Sequence, residues 1–410
     1  MSGISTSVNT PAKGDAAFKT QSTALGKMLA DIRQLAPSLA ARTAEVEAAR
    51  RIPADMIAQL RAIGVFRMST PRSHGGLEFD YPSILEVLTE LADIEGSLGW
   101  VTMLGAGHIP YLAYLPRKSY DAIYANGPDV FLAGTAAPAG QGEMTDGGFR
   151  VTGRWPFASG CQNADWLFAG FIVTRNGEPV MGASGKPLVR HIVLPANKFE
   201  IEDTWYVAGL KGTGSHHIKI QDELVPTEYT FKYEDESCLP GPLYRSGLHM
   251  IPLLHCCPAI GIAQGALREV VELANTGRRR VMATDNMRDS PLFQSDIGRI
   301  EADLKAARAV HRMQAQALWQ ASVAGELRLA NLKLLLDVQQ AASWVNTICA
   351  RIVDACYTLG GGSALYNSSP LQRRLRDIHA STQHAAVGPG VYVQSGAQRL
   401  GHTMKHPILE

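Results

Sequence analysis

The chain has 410 residues, 46% of them apolar, and 39 Lys+Arg against 38 Asp+Glu give a net charge of +1. That length calls for two or three domains, and the balanced charge gives no electrostatic case for nucleic acid or an anionic membrane as partner. Six scattered cysteines without a CxxC spacing argue against a disulfide framework or a zinc site and fit a reducing, cytoplasmic compartment; no metal is expected.

Residues 1–22 have no apolar signal-peptide core and are expected to form a disordered tail. A helical domain is expected over 23–130. Within it, IPADMIAQLRAIGVFRM reads as an amphipathic helix opened by Pro53 and stopped by Gly64, with Met56, Ile57 and Leu60 on its apolar face. TPRSHGG (70–76) is a loop. A further helix over Tyr81–Ile94 leads to Ser97, the expected N-cap of the next. The apolar stretch Leu98–Leu115 contains three glycines, His108 and Pro110, so it predicts a buried helix rather than a membrane span. A lone histidine on such a helix is usually a satisfied core group.

From Val130 the period shortens. About six to eight β-rich runs, separated by Gly, Asn, Asp and Pro, predict a β-barrel or sandwich over 131–243. From 244 to 410 the pattern is helical again. Alanine- and leucine-rich segments over 258–283, 293–324 and 328–359 are long enough for an antiparallel bundle. GRRRV (277–281) ends the first of these; its arginines suit a solvated helix end. No GxGxxG after a strand and no Walker sequence is present, which argues against a Rossmann or P-loop nucleotide site.

Residues 360–390 read GGGSALYNSSPLQRRLRDIHASTQHAAVGPG. Pro370 predicts a helix start, and Gly388, Pro389 and Gly390 its stop. At roughly 100° per residue, Arg373, Asp377 and His384 share one stripe, with Arg373 and Asp377 able to pair at i,i+4. His379 lies on another side.

Two stretches carry a resemblance. GFRVTGRWPFASGCQNADWLFAG (148–170) and the Gly-Gly/PLQRRLRD segment resemble acyl-CoA dehydrogenases, and the helix–β–helix order matches that layout over nearly the whole chain. The fold implied is α+β, mostly α: an N-terminal helical domain, a central β-barrel or sandwich and a C-terminal four-helix bundle. One departure matters. Dehydrogenases of this kind often carry a catalytic glutamate about eight residues after the RD aspartate, where this chain has Ala385 with His384 beside it. SALYxxSPLQRxxRDxHxxxQH instead resembles the two-component flavin-dependent monooxygenases that share the fold.

The resemblance implies a set of roles. Ser159 hydrogen-bonds flavin N5, and Phe157 stands where the dehydrogenases have a tryptophan. Thr135 contacts flavin and substrate. Gly361 and Gly362 belong to a loop that touches the flavin, and one of Arg278, Arg279 and Arg280 binds its phosphate. GWxxxLGxGH places His108 against the substrate. Trp100, Trp155 and Tyr111 are candidate pocket walls, and Gly212, Gly214 and Ser215 part of the last strand. Reduced FMN or FAD and dioxygen are the implied cofactor and co-substrate, reacting through a C4a-hydroperoxide, with flavin delivered by a separate NAD(P)H:flavin reductase. An imidazole at His384 suits that chemistry as acid or base. A small, aromatic substrate and a homotetramer are implied. The alternatives are an N- or S-oxygenase, or an acyl-CoA dehydrogenase whose base is Glu301 or Glu326. A scaffold without catalysis does not explain the polar residues at flavin-matching positions.

Overall fold

The computed structural model describes residues 13–182, 185–245, 247–279, 283–327 and 332–402. Helix α1 (Lys13–Ala41) starts within the stretch expected as tail, and α2 (Thr43–Ala49) and α3 (Ala54–Ala62) follow. Pro53 precedes α3, and Gly64 ends it at φ 89, as its sequence predicts.

Helix α4 (Tyr81–Ile94) begins at Asp80, whose carboxylate accepts from Ser83 N, and buries Ile84, Leu88 and Leu91 along one face. The cap of α5 (Gly96–Gly107) is Glu95, not Ser97. The Glu95 carboxylate accepts from Leu98 N at 2.6 Å, and Ser97 lies inside the helix. Every residue of α5 is buried. Glycine at 99 permits this: a Cβ there would come within 2.3 Å of the Ala92 methyl on α4. A 3-10 turn (Ile109–Tyr114) and α6 (Arg117–Ile123) complete this layer.

The strands are β1 (Leu132–Thr145), β2 (Gly148–Trp155), β3 (Trp166–Arg175), β4 (Glu178–Pro179), β5 (Val189–Pro195), β6 (Glu200–Glu202), β7 (His217–Pro226) and β8 (Thr230–Phe231). They form one eight-stranded sheet in the order β6-β7-β2-β1-β3-β5-β8, with β4 off β3. β1 runs parallel to β3 and antiparallel to β2. Trp155 is a sheet-core residue, not a pocket wall. It is fully buried and donates to Gly170 O at 2.6 Å. Gly212 lies in a 3-10 turn over Lys211–Thr213, and Gly214 and Ser215 link that turn to β7, so none of the three is part of the strand.

The C-terminal helices are α7 (Ile251–Leu254), α8 (Cys256–Asn275), α9 (Pro291–Val323), α10 (Leu332–Gly360), α11 (Pro370–Ser381) and α12 (Gly390–Arg399). α8 packs on α4, α9, α10 and α11, so one helix joins the two helical layers. It ends at Asn275, before GRRRV. Among the described residues no helix is long and apolar enough to cross a membrane.

Candidate active site

The segment after α11 departs from the helical stripe. α11 ends at Ser381, and His384 caps a short 3-10 turn over Ala385–Val387. Gly390 does not stop a helix but starts α12. Arg373 pairs with Glu47 of α2 at 3.3 Å rather than with Asp377. His379 faces Asp354 at 2.8 Å, on the surface. Asp377 is buried and accepts the Leu210 N–H at 2.6 Å.

Leaving the helix brings His384 onto a histidine that the sequence reading did not single out. The rings of His384 and His255 stack with centroids 3.9 Å apart, and Trp100 stands edge-on to both, at 5.8 and 5.4 Å. His384 Nδ1 accepts the Ala386 N–H at 3.2 Å, which leaves the proton of the neutral ring on Nε2. His255 Nδ1 lies 2.9 Å from Ile251 O and is therefore the protonated nitrogen, so its Nε2 is a bare lone pair. Burial drives the pKa of His255 well below its ordinary value and that of His384 to about 4. The His384 ring is packed among its neighbours, yet the residue as a whole is exposed to solvent.

His108, at the C-terminal end of α5, is 7% exposed and stacks on Tyr111 at 5.2 Å. Burial first, then the charge of His384, lowers its pKa to about 3. Among the described residues, neither His108 nitrogen has a partner; nor do His255 Nε2 and the Tyr111 hydroxyl. Buried polar groups in native proteins are nearly all hydrogen-bonded, so several orphans in one place mark where a ligand belongs.

Beside them runs a chain of hydroxyls whose direction is fixed by its ends. Trp100 Nε1–H donates to Ser159 Oγ at 3.2 Å, and Thr213 Oγ1–H donates to Leu210 O at 2.9 Å. Thr213 therefore accepts from Ser215 (2.7 Å), and Ser215 accepts from Ser159 (2.6 Å). The Ser159 proton is committed, and what that oxygen still offers is an acceptor lone pair.

Thr135 is half-buried on β1, and its hydroxyl lies 3.4 Å from Ala137 N. The antiparallel register that pairs Gly140 with Gly153 carries Thr135 and Phe157 to the same end of the sheet. Phe157 is 65% exposed at φ 64, its ring edge-on to Trp205 at 6.3 Å. A large aromatic ring held out in strained backbone suits a flat partner. A cavity of about 550 Å³ opens between this end of the sheet and α12, lined by Ala136, Ile251, Ala385 and Ala386.

Other expected contacts are not assembled in the single chain. Gly361 and Gly362 are exposed, and a Cβ on either would meet nothing within 4 Å. Arg278 and Arg279 are exposed, and Arg280 lies outside the described residues. Glu301 is on the surface, 2.9 Å from Lys305, and Glu326 is exposed, so neither carboxylate reaches the histidines.

Residues 27–114 match the N-terminal domain of acyl-CoA dehydrogenases, and residues 253–389 their C-terminal domain. The chain is 33% identical to an indole-3-acetate monooxygenase of Pseudomonas putida, covering 90% of this chain and 91% of that one. It is also 33% identical to an FADH2-dependent resorcinol hydroxylase, oxygenase component, of a Rhizobium species, over 87% of this chain and 90% of the relative. The crystal structure of XiaF from a Streptomyces species in complex with FADH2 and glycerol superposes with a TM-score of 0.87 at 25% identity, covering 96% of this chain and 99% of the other.

Proposed function

The chain belongs to the flavin-dependent monooxygenases built on the acyl-CoA dehydrogenase fold, and from that premise we propose that the His108–His255–His384 cluster around Trp100 hydroxylates a small aromatic substrate. Reduced flavin, when bound, supplies two electrons and activates dioxygen. The remaining work falls to this chain's residues.

Ser159 presents an acceptor lone pair, which suits holding an N–H such as the one at N5 of a reduced flavin. Phe157 and Thr135 border the flat face of that site. Neutral His384 offers Nε2–H as a hydrogen-bond donor to the oxygen being transferred. Once protonated it is a strong acid, because burial disfavours its cation. His108 has two unpartnered nitrogens, one of which accepts from a phenolic O–H or an indole N–H. That acceptance raises the electron density of the ring to be attacked. α5 and α8 hold His108 and His255 away from water, while His384 faces the open side, and this burial limits wasteful peroxide loss.

One observation carries this reading: His255, whose Nε2 is an orphaned buried atom, stacks on His384 beside Trp100, and His108, orphaned at both nitrogens and stacked on Tyr111, lies close enough to feel the charge of His384. The surface positions of Glu301 and Glu326, with alanine at 385, remove the carboxylate that a dehydrogenase needs. Reduced FMN or FAD reaches the site from a separate NAD(P)H:flavin reductase, as the relative named an oxygenase component implies. Exposed Leu365 and Tyr366, each 70% accessible beside the Gly361–Gly362 turn, support assembly into a homotetramer. A neighbouring subunit's flavin would then meet those glycines and one of Arg278, Arg279 and Arg280.

The test supplies chemically reduced flavin and dioxygen with phenols and indoles, and quantifies hydroxylated product against hydrogen peroxide. Product formed in proportion to flavin consumed supports the assignment. Peroxide alone with every aromatic, together with bleaching of oxidised flavin by an acyl-CoA, contradicts it.

A further inference from the structure

The cavity that Ala385 and Ala386 line, next in sequence to His384, has a polar end. Tyr111, stacked on His108, stands edge-on to Tyr233 at 5.5 Å, and Tyr233 leans over His191 at 4.5 Å. This run of rings leads from the catalytic histidine to the cavity wall, which Tyr233, His191 and Gln394 all line. Each carries a buried polar atom without a partner among the described residues: the Tyr233 hydroxyl, His191 Nδ1 and Gln394 Oε1. His191 is 3% exposed and places Nε2 3.2 Å from Ala136 O, so Nε2 holds the proton and Nδ1 is an acceptor. Burial lowers its pKa to about 4, so it carries no charge at neutral pH.

The charge of this end is equally informative. Among the described residues the cavity lining contains no lysine or arginine, and its one charged side chain is Glu234 at the rim. The nearby Arg190 is engaged elsewhere, donating to Thr230 Oγ1 at 2.8 Å and Thr230 O at 3.0 Å. Two acceptors, one hydroxyl and a carboxylate welcome a neutral donor. A bound carboxylate would lose its hydration and find no cation in return.

We propose that the Tyr233–His191–Gln394 end of the cavity recognises a neutral hydroxyl on the substrate's distal side, so that this enzyme takes hydroxylated aromatics and discriminates against aryl carboxylates. The proposal rests on the aromatic-hydroxylase reading and deepens it. It separates this chain from its relative named for indole-3-acetate, despite 33% identity.

The experiment compares ligands that share a ring and differ only in the tail: indole-3-ethanol with indole-3-acetate, and 4-hydroxyphenylethanol with 4-hydroxyphenylacetate. Binding to the flavin-free protein is read from tryptophan fluorescence, and coupled turnover with reduced flavin is measured alongside. The alcohols bind at least about tenfold more tightly than the acetates. Gln394→Lys places a cation at that end and reverses the order, while Tyr233→Phe weakens the alcohols and leaves the acetates unchanged. Acetates binding as tightly as alcohols to the natural protein, or an order unmoved by Gln394→Lys, overturns the proposal. If the acetates then stimulate hydroxylation, the hydroxylase assignment stands without it. If no ligand of either series binds or is hydroxylated, both fall together.

Discussion

His384 and His255 lie face to face, with 3.9 Å between ring centroids and 22° between planes. Two imidazoles this close are not both positively charged, and burial disfavours either cation. The neutral pair keeps His384 a hydrogen-bond donor through Nε2, while His255 is fixed by its own bond to Ile251 O. His255→Phe preserves the stack and removes the lone pair. It should leave folding intact and change the pH profile of coupling, whereas His255→Ala should also lower the melting temperature through the cavity it creates, at a cost of about 2–4 kcal/mol.

The hydroxyl relay has a direction, and Thr213 sets it. Thr213→Val keeps the shape but removes the acceptor for Ser215, so Ser215 and Ser159 are free to turn their protons round. The expected result is a loss of about 1 kcal/mol in denaturant unfolding and increased peroxide release. Ser159→Ala is harsher. It leaves Trp100 Nε1 buried without an acceptor, a cost of about 1–3 kcal/mol, and should weaken binding of reduced flavin in anaerobic titration.

Asp377 gives a pH signature. Burial first, then the charge of Glu95, raises its pKa to about 7, from 3.8 for a free carboxyl. The folded protein therefore binds the proton more tightly than the unfolded chain, and this contribution to stability is lost as pH rises towards and through 7. Asp377→Asn still accepts from Leu210 N but does not titrate. The stability of the variant relative to the natural protein should rise between pH 5 and 8, by at least about 1 kcal/mol in denaturant melts. His108 and His384, whose pKa values are lowered, act oppositely and lose stability as pH falls below 6.5; their effect is common to both proteins and cancels in the difference.

Assembly is tested at the exposed turn. Leu365→Asp together with Tyr366→Asp should shift the mass measured by light scattering to a smaller species and weaken flavin binding. Ser159 and His384 lie elsewhere in the same chain and are untouched. An unchanged mass would place the interface on another surface.

Much of this was legible in local sequence. Asp80 and Pro82 start α4 where its pattern begins, and the strand-rich middle announces itself by period and turn residues. Trp100 bonds to Ser159 and His108 stacks on Tyr111, because the long apolar helix and the turn after β2 each hold their residues by local rules. The failures share a cause. Arg373 pairs with Glu47 across 326 residues, not with its helical neighbour, because tertiary charge placement overrides i,i+4 spacing. His384 leaves the stripe because the chain turns at Thr382 and Gln383, without the glycine or proline that usually marks a stop. His255 sits in an apolar run, LLHCC, with no periodic signal. Only the packing of α8 against α5 and the last turn reveals it.

The central claim is that His384, not a carboxylate, directs oxygen to an aromatic ring. Its most direct test is the yield of hydroxylated product per reduced flavin oxidised by His384→Ala, with flavin binding measured in parallel. Unchanged flavin affinity with a product rate lower by about 10²-fold or more, the electrons appearing as hydrogen peroxide, is the predicted result. Product yield equal to that of the natural protein would contradict it.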